Sequence, residues 1–220
     1  MNNSINYEII PELAKKMETV FDSNANDRKN AYLSWRMKGR NISERFKQLS
    51  NGYFQVSQNI IEELLKNNLD RQADIQIFPV LFGIVHGIEL SLKALNYDIN
   101  GLLGYNNLKI GFGKHDIGTI CSQSIKSLKV LGQRIGDENI EQPLTAIHLI
   151  ENFINNIYSQ TAYMPFARYP INDKGEDVFY AKWDQNVIVD LEKLKSQFSY
   201  VVTMLEFLDD FIHYYIDERY

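Results

Sequence analysis

The sequence is poor in cysteine, with Cys121 as the single thiol among 220 residues. One cysteine excludes an internal disulfide framework and a zinc site built from several thiolates, and it is typical of a protein from a reducing compartment. The first thirteen residues, MNNSINYEIIPEL, contain no basic segment followed by an apolar one. We therefore expect no signal peptide.

An excess of positive charge is also missing. The chain has 23 Lys and Arg residues against 28 Asp and Glu residues, which gives a net charge of −5. A protein of this charge has no global electrostatic attraction to nucleic acid. Basic residues are concentrated between Arg36 and Lys47, and we interpret this cluster as a solvated helix face.

The longest apolar run extends from Asp74 to Tyr97 and predicts a central helix that is buried on several sides. Its apolar residues recur at three- and four-residue spacing, and the opposite side is also largely apolar. His86, Glu89 and Lys93 share one face of this helix. A buried ion pair that loses one member costs about 3–5 kcal/mol, so we expect these groups to have partners. Their charges argue against a membrane span, and we expect a cytoplasmic protein without membrane contact.

Helical periodicity dominates the chain and predicts one all-α domain over residues 1–220, folded as a helical bundle. The predicted helices cover Tyr7–Phe21, Tyr53–Leu69, Asp74–Tyr97, His115–Leu131, Pro143–Tyr158 and Asp190–Tyr215, with one bent or two short helices between Ala31 and Leu49. Asn51–Gly52 predicts a turn, and residues 98–114 predict an irregular connection. The helical pattern breaks near residues 163–183, which predicts either a small β-hairpin or an irregular segment.

Three segments carry a resemblance to a known family: HGIELSLKAL at residues 86–95, GKHDI at residues 113–117 and ARYPIND at residues 167–173. In this order they resemble the HEPN superfamily, whose members are four- or five-helix bundles that commonly dimerise. Many HEPN proteins are ribonucleases of toxin–antitoxin, abortive-infection and CRISPR-linked defence systems. The resemblance therefore implies a HEPN-like bundle, a homodimer and a role in bacterial defence or in a toxin system.

The ribonuclease signature of that family is missing from this chain. The signature is an arginine separated by four to six residues from a following histidine, whereas the nearest upstream arginines here are Arg71 for His86 and Arg134 for His148. The favoured function is thus a non-catalytic or atypical HEPN-like protein that dimerises and binds a protein, nucleotide or RNA partner. A protein partner is expected to be encoded nearby. The alternative is a metal-independent HEPN-type ribonuclease with an atypical active site, and the sequence leaves this choice open.

One constellation of ionisable residues is the candidate catalytic site. It consists of His86, Glu89, Lys93, His115, Asp116 and Arg168. As an active site it would supply a histidine for acid–base chemistry, an arginine for a phosphate, and carboxylates that orient them. As a structural network it would instead contain an intrahelical pair of Glu89 with Lys93, while His115 or Asp116 caps the next helix. Binding of a ligand without chemistry is the third interpretation.

The remaining candidates have simpler interpretations. A metal shared by His86 and Glu89 would need several further ligands from other helices, so we predict no metal and no cofactor. His148 and His213 lie on amphipathic helices and are interpreted as satisfied or surface histidines. Cys121 is interpreted as a buried thiol.

Overall fold

The computed structural model describes most of the helical part of the chain. The described residues are 9–17, 19–34, 37–105, 116–136, 138–159, 174–175 and 187–217. The chain divides into two compact units, Met1–Arg36 and Met37–Tyr220, and the single domain over residues 1–220 stays a prediction. The first unit contains helix α1 (Ile9–Lys16) and the short 3-10 helix Asp27–Lys29.

The described residues of the second unit form five long helices. They are α2 (Ile42–Lys66), α3 (Ala73–Leu103), α4 (Ile117–Ile135), α5 (Glu141–Tyr158) and α6 (Leu191–Asp217). No strand occurs among the described residues, and the all-α prediction is confirmed. The predicted hairpin near 163–183 lies outside the described residues, apart from two residues of a bend at 174–175.

The central element is α3, which packs against α2, α4 and α6, while α5 packs against α4 and α6. Its core side chains are fully buried, among them Ile84, Ile88, Leu92 and Ile99. Within the part of the chain that the structure describes, α3 alone is long and apolar enough to cross a membrane, and 56% of its most apolar stretch is buried inside the protein. A buried core helix passes the same test of length and composition.

The end of α3 corrects the first part of the irregular connection predicted for residues 98–114, whereas residues 106–114 lie outside the described residues. The helix continues to Leu103 and ends at Gly104, whose φ of +74° is a left-handed conformation that glycine adopts without strain. The extension occurs because Ile99, Leu102 and Leu103 continue the buried side of the helix. As a result Asp98 is a helical residue.

The predicted turn at Asn51–Gly52 is wrong, because α2 runs through it without interruption. A capping box at Asn41 begins the helix. The Ser50 hydroxyl then donates to the Gly87 carbonyl at 2.8 Å, and Phe54 is buried in the core. A helical glycine costs about 1 kcal/mol, which is less than the contribution of a buried helix face, so the tertiary contact decides the conformation.

Candidate functional site

The polar face of α3, defined here as His86, Glu89 and Lys93, is a connected set of side chains. Lys93 Nζ lies 2.6 Å from Glu89 Oε1, and both side chains are nearly inaccessible, at 4% and 3% exposure. His86 Nδ1 lies 3.5 Å from the other oxygen of Glu89. The predicted sharing of one face and the predicted intrahelical pair of Glu89 with Lys93 are both confirmed. The carboxylate is held from two sides by its own helix.

Aromatic rings set the position of the His86 imidazole. Phe82 stacks on it with ring centroids 5.6 Å apart, and Tyr53 of α2 meets it edge-on at 4.7 Å. Such contacts restrict the ring orientation. The His86 side chain retains 26% exposure, so it is the one member of the polar face of α3 that solvent reaches easily.

Asp116 is the N-cap of α4. Its carboxylate accepts from the Gly118 N–H at 3.1 Å and from the Thr119 hydroxyl at 2.6 Å. The prediction that His115 or Asp116 caps this helix is thus confirmed for Asp116, whose oxygens are used by the helix start. His115 and Arg168 lie outside the described residues, and their place in the predicted constellation stays a prediction.

Tyr158 adds a partly buried phenol with a buried hydroxyl, which no sequence pattern assigned to this region. Burial raises the pKa of Tyr158, and the negative charges of Glu89 and Asp116 raise it further. The raised pKa keeps the phenol as a neutral O–H group at neutral pH. In the described part of the chain its hydroxyl has no hydrogen-bond partner. Glu89 in the middle of α3 and Asp116 at the start of α4 thus both act electrostatically on Tyr158 at the end of α5.

A second group of polar residues joins α2, α3 and α6, and sequence reasoning missed it. This Lys47 cluster consists of Lys47, Asp98, Asp209 and His213. Lys47 Nζ lies 3.0 Å from Asp98 Oδ2 and 2.9 Å from His213 Nε2, and it also contacts Asp209 Oδ1. Asp98 accepts a further hydrogen bond from the Ser43 hydroxyl. The ammonium group is therefore surrounded by three acceptors from two other helices.

The charge of Lys47 is stabilised by these neighbours. Burial alone would lower its pKa, but the hydrogen bond to Asp209 and the charges of Asp98 and Asp209 outweigh burial and raise the pKa of Lys47. The interpretation of the basic cluster between Arg36 and Lys47 as a solvated helix face is wrong for Lys47, whose side chain is 20% exposed. The i, i+4 spacing of Asp209 and His213 was the one local signal for this cluster.

A cleft of about 360 Å³ opens beside the Lys47 cluster, and Lys47, Asp209 and His213 line it. Phe54 and Leu205 belong to its apolar part. The charged lining also includes one arginine and two glutamates, Arg40, Glu44 and Glu206. Together with Asp98, the cleft and the cluster contain the four carboxylates of Glu44, Asp98, Glu206 and Asp209 but only two cations, those of Arg40 and Lys47. This excess of negative charge favours a positively charged ligand.

The two remaining histidines and the thiol are as predicted. His148 is exposed, and its Nδ1 lies 3.6 Å from Glu151 of its own helix. His213 is half-exposed and shares a hydrogen bond with Lys47. Cys121 is fully buried. Burial raises the pKa of the Cys121 thiol to about 12, so this thiol is chemically inert in the folded protein.

Comparison with known proteins finds no relative of this chain. No family model, no curated protein and no solved structure matches the chain. The resemblance to the HEPN superfamily therefore rests on the three sequence segments alone and stays a prediction.

Proposed function

We propose that this is a cytoplasmic, non-catalytic HEPN-like protein that dimerises and binds a protein, nucleotide or RNA partner in a bacterial defence or toxin-related role. The observation that carries the non-catalytic part is the pair of Glu89 with Lys93, 2.6 Å apart and nearly inaccessible. A buried ion pair uses its charges to satisfy each other inside the protein. The superfamily, the dimer, the partner and the defence-related role are taken from the sequence resemblance.

Two further contacts support a structural role for the candidate site. Asp116 uses its oxygens to begin α4, and His86 packs between two aromatic rings. Neither side chain is free to move onto a substrate without the loss of these contacts. The absence of the family's arginine–histidine spacing points in the same direction.

Dimerisation is supported by apolar residues that remain exposed at a spacing of seven. On α2 these are Ile42, Leu49 and Val56, and on α6 they are Tyr200, Phe207 and Tyr214. Apolar residues that recur every seven residues occupy one of the two heptad positions through which helices pair. We therefore assign the homodimer contact to the long helices.

The dimer is tested by sedimentation equilibrium at micromolar concentrations. Val56→Glu and Phe207→Glu each place a charge in one of the two repeats, and at least one of them should shift the protein to a monomer. Gln55→Glu is the matched control, because Gln55 is an exposed neighbour on α2 outside the repeat. A wild-type protein that is monomeric throughout this range would overturn the homodimer.

The second candidate is the metal-independent ribonuclease. The observation that favours it is the exposed part of His86 together with its contact to Glu89. A histidine oriented by a carboxylate is the arrangement of a general base at neutral pH. This candidate differs from the first in requiring turnover, so one experiment separates them.

Purified protein is incubated with total RNA and with tRNA, with and without EDTA, beside His86→Ala and the exposed-histidine control His148→Ala. We expect no cleavage by any of them. We also expect Lys93→Met to lower the free energy of unfolding by about 3–5 kcal/mol, because it removes one member of a buried ion pair. The double variant Lys93→Met/Glu89→Gln should recover part of that loss. Cleavage that persists in EDTA and is lost only in a folded His86→Ala variant would establish the ribonuclease instead.

A further inference from the structure

The Lys47 cluster contains the ligand set of a metal site. One carboxylate oxygen each from Asp98 and Asp209 and one ring nitrogen of His213 lie within 4.8 Å of one another. We propose that these three side chains bind a divalent first-row transition metal ion, such as Zn²⁺. No residue of the polar face of α3 takes part, so this site and the proposed function are tested separately.

The spacing of the ligand atoms suits a tetrahedral ion. Zinc binds nitrogen and oxygen ligands at about 2.0–2.2 Å, which puts neighbouring ligand atoms roughly 3.3 Å apart. Asp209 Oδ1 and His213 Nε2 are already 3.6 Å apart, one helical turn from each other on α6. Asp98 completes the set from α3. Ser43 donates a hydrogen bond to the Asp98 carboxylate, and such support for a ligand strengthens metal binding.

Lys47 marks the position at which the cluster holds a cation. Its ammonium group contacts all three ligand residues at once. A metal ion and this ammonium group exclude each other, because they need the same acceptor atoms and carry the same sign of charge. Glu44 and Glu206 line the same cleft and offer the displaced ammonium group a carboxylate. Lys47 is thus a built-in competitor that weakens metal binding.

The chemistry of the ligands selects the class of metal. Calcium takes six to eight oxygen ligands, whereas one imidazole with two carboxylates suits zinc and its neighbours. Three protein ligands leave a fourth position for water or for a ligand. That position faces the cleft, because Asp209 and His213 line it.

The test is a titration of the full-length protein with Zn²⁺ by isothermal calorimetry, repeated with Co²⁺ and followed by visible absorption. We expect one Zn²⁺ per chain and the intense visible bands of tetrahedral Co²⁺. Lys47→Met should bind Zn²⁺ about 10- to 100-fold more tightly, since charge-assisted hydrogen bonds of the competitor are removed. His213→Ala should weaken binding at least about tenfold.

His148→Ala is the matched control, because His148 is also an exposed histidine beside a carboxylate, that of Glu151, on its own helix. It should bind Zn²⁺ as the wild type does. His213→Ala and Asp209→Asn alter partly exposed side chains and keep the test valid if Lys47→Met does not fold. The metal site is overturned if the wild type shows no saturable Zn²⁺ binding, or if His213→Ala binds Zn²⁺ as tightly as His148→Ala.

Discussion

Replacing Gly87 with alanine places a methyl group in the space that the Phe54 ring occupies. The added Cβ would lie 2.3 Å from Phe54 Cε1 and 2.6 Å from Phe54 Cδ1. Carbon atoms in normal contact are about 3.5–4.0 Å apart, so the ring or the helix must move by about 1 Å. Phe54 is buried, and its ring packs edge-on against Phe198 of α6 at 5.3 Å. The movement therefore disturbs the junction of three helices.

Three contributions set the size of the effect. Overpacking of a filled core costs about 1–3 kcal/mol, and loss of the aromatic contact of Phe54 with Phe198 costs about 0.5–1.5 kcal/mol. In the opposite direction, alanine has a higher helix propensity than glycine and stabilises the folded state by about 1 kcal/mol. We expect Gly87→Ala to lower the free energy of unfolding by about 1–3 kcal/mol.

Gly52 provides the matched control, because it is also a helical glycine but an added Cβ there meets nothing within 4 Å. Gly52→Ala should raise the free energy of unfolding by about 0.5–1 kcal/mol. Urea unfolding followed by circular dichroism measures both, and a slope of about 1–3 kcal/mol per molar urea separates their midpoints by roughly 0.5 M or more. Adding Phe54→Leu should reduce the effect of Gly87→Ala. Equal midpoints for the two glycine variants would refute the close approach of α2 to α3.

Two further predictions concern α4. Asp116→Ala should lower the free energy of unfolding by about 1 kcal/mol, whereas Asp116→Asn keeps the capping oxygen and should have a smaller effect; urea unfolding of both variants checks this, and equal losses would argue against the cap. Cys121 should resist iodoacetamide at pH 8 in the folded protein and react in urea, because burial raises its pKa from 9.0 to about 12. The pKa of Cys121 is higher in the folded protein than in the unfolded chain. The contribution of the protonated thiol to the free energy of unfolding is therefore complete below pH 9. It is lost as the pH rises toward 12, by up to about 1.4 kcal/mol per pH unit. Cys121→Ala should not show this loss of stability at high pH. If its free energy of unfolding fell with pH as steeply as that of the wild type, the assignment to Cys121 would be wrong.

Local sequence pattern was sufficient for the helical class and for the central helix. The 3.6-residue period of apolar side chains depends only on which residues face the core, and it identified α3, α5 and α6. The shared face of His86, Glu89 and Lys93 follows from the same period, since residues three and four apart on a helix are neighbours.

Element lengths were decided by tertiary contacts. The Asn51–Gly52 pair favours a turn locally, yet the hydrogen bond of Ser50 to Gly87 and the burial of Phe54 keep α2 continuous. Residues after Asp98 contain turn-forming types, yet Ile99 and its neighbours extend the buried side of α3. In both places the local preference against a helix, about 1 kcal/mol per residue, is smaller than the contribution of packing to the stability of the helix.

The Lys47 cluster depended on tertiary structure most of all. By itself the sequence determined that Asp209 and His213 are one helical turn apart, because that relation is local. Only the packing of α2, α3 and α6 brought Lys47 and Asp98 to them. Lys47 is 51 residues from Asp98 in the chain and 166 residues from His213. No periodic pattern encodes such a distance, because it is set by the way the buried faces of three helices fit together.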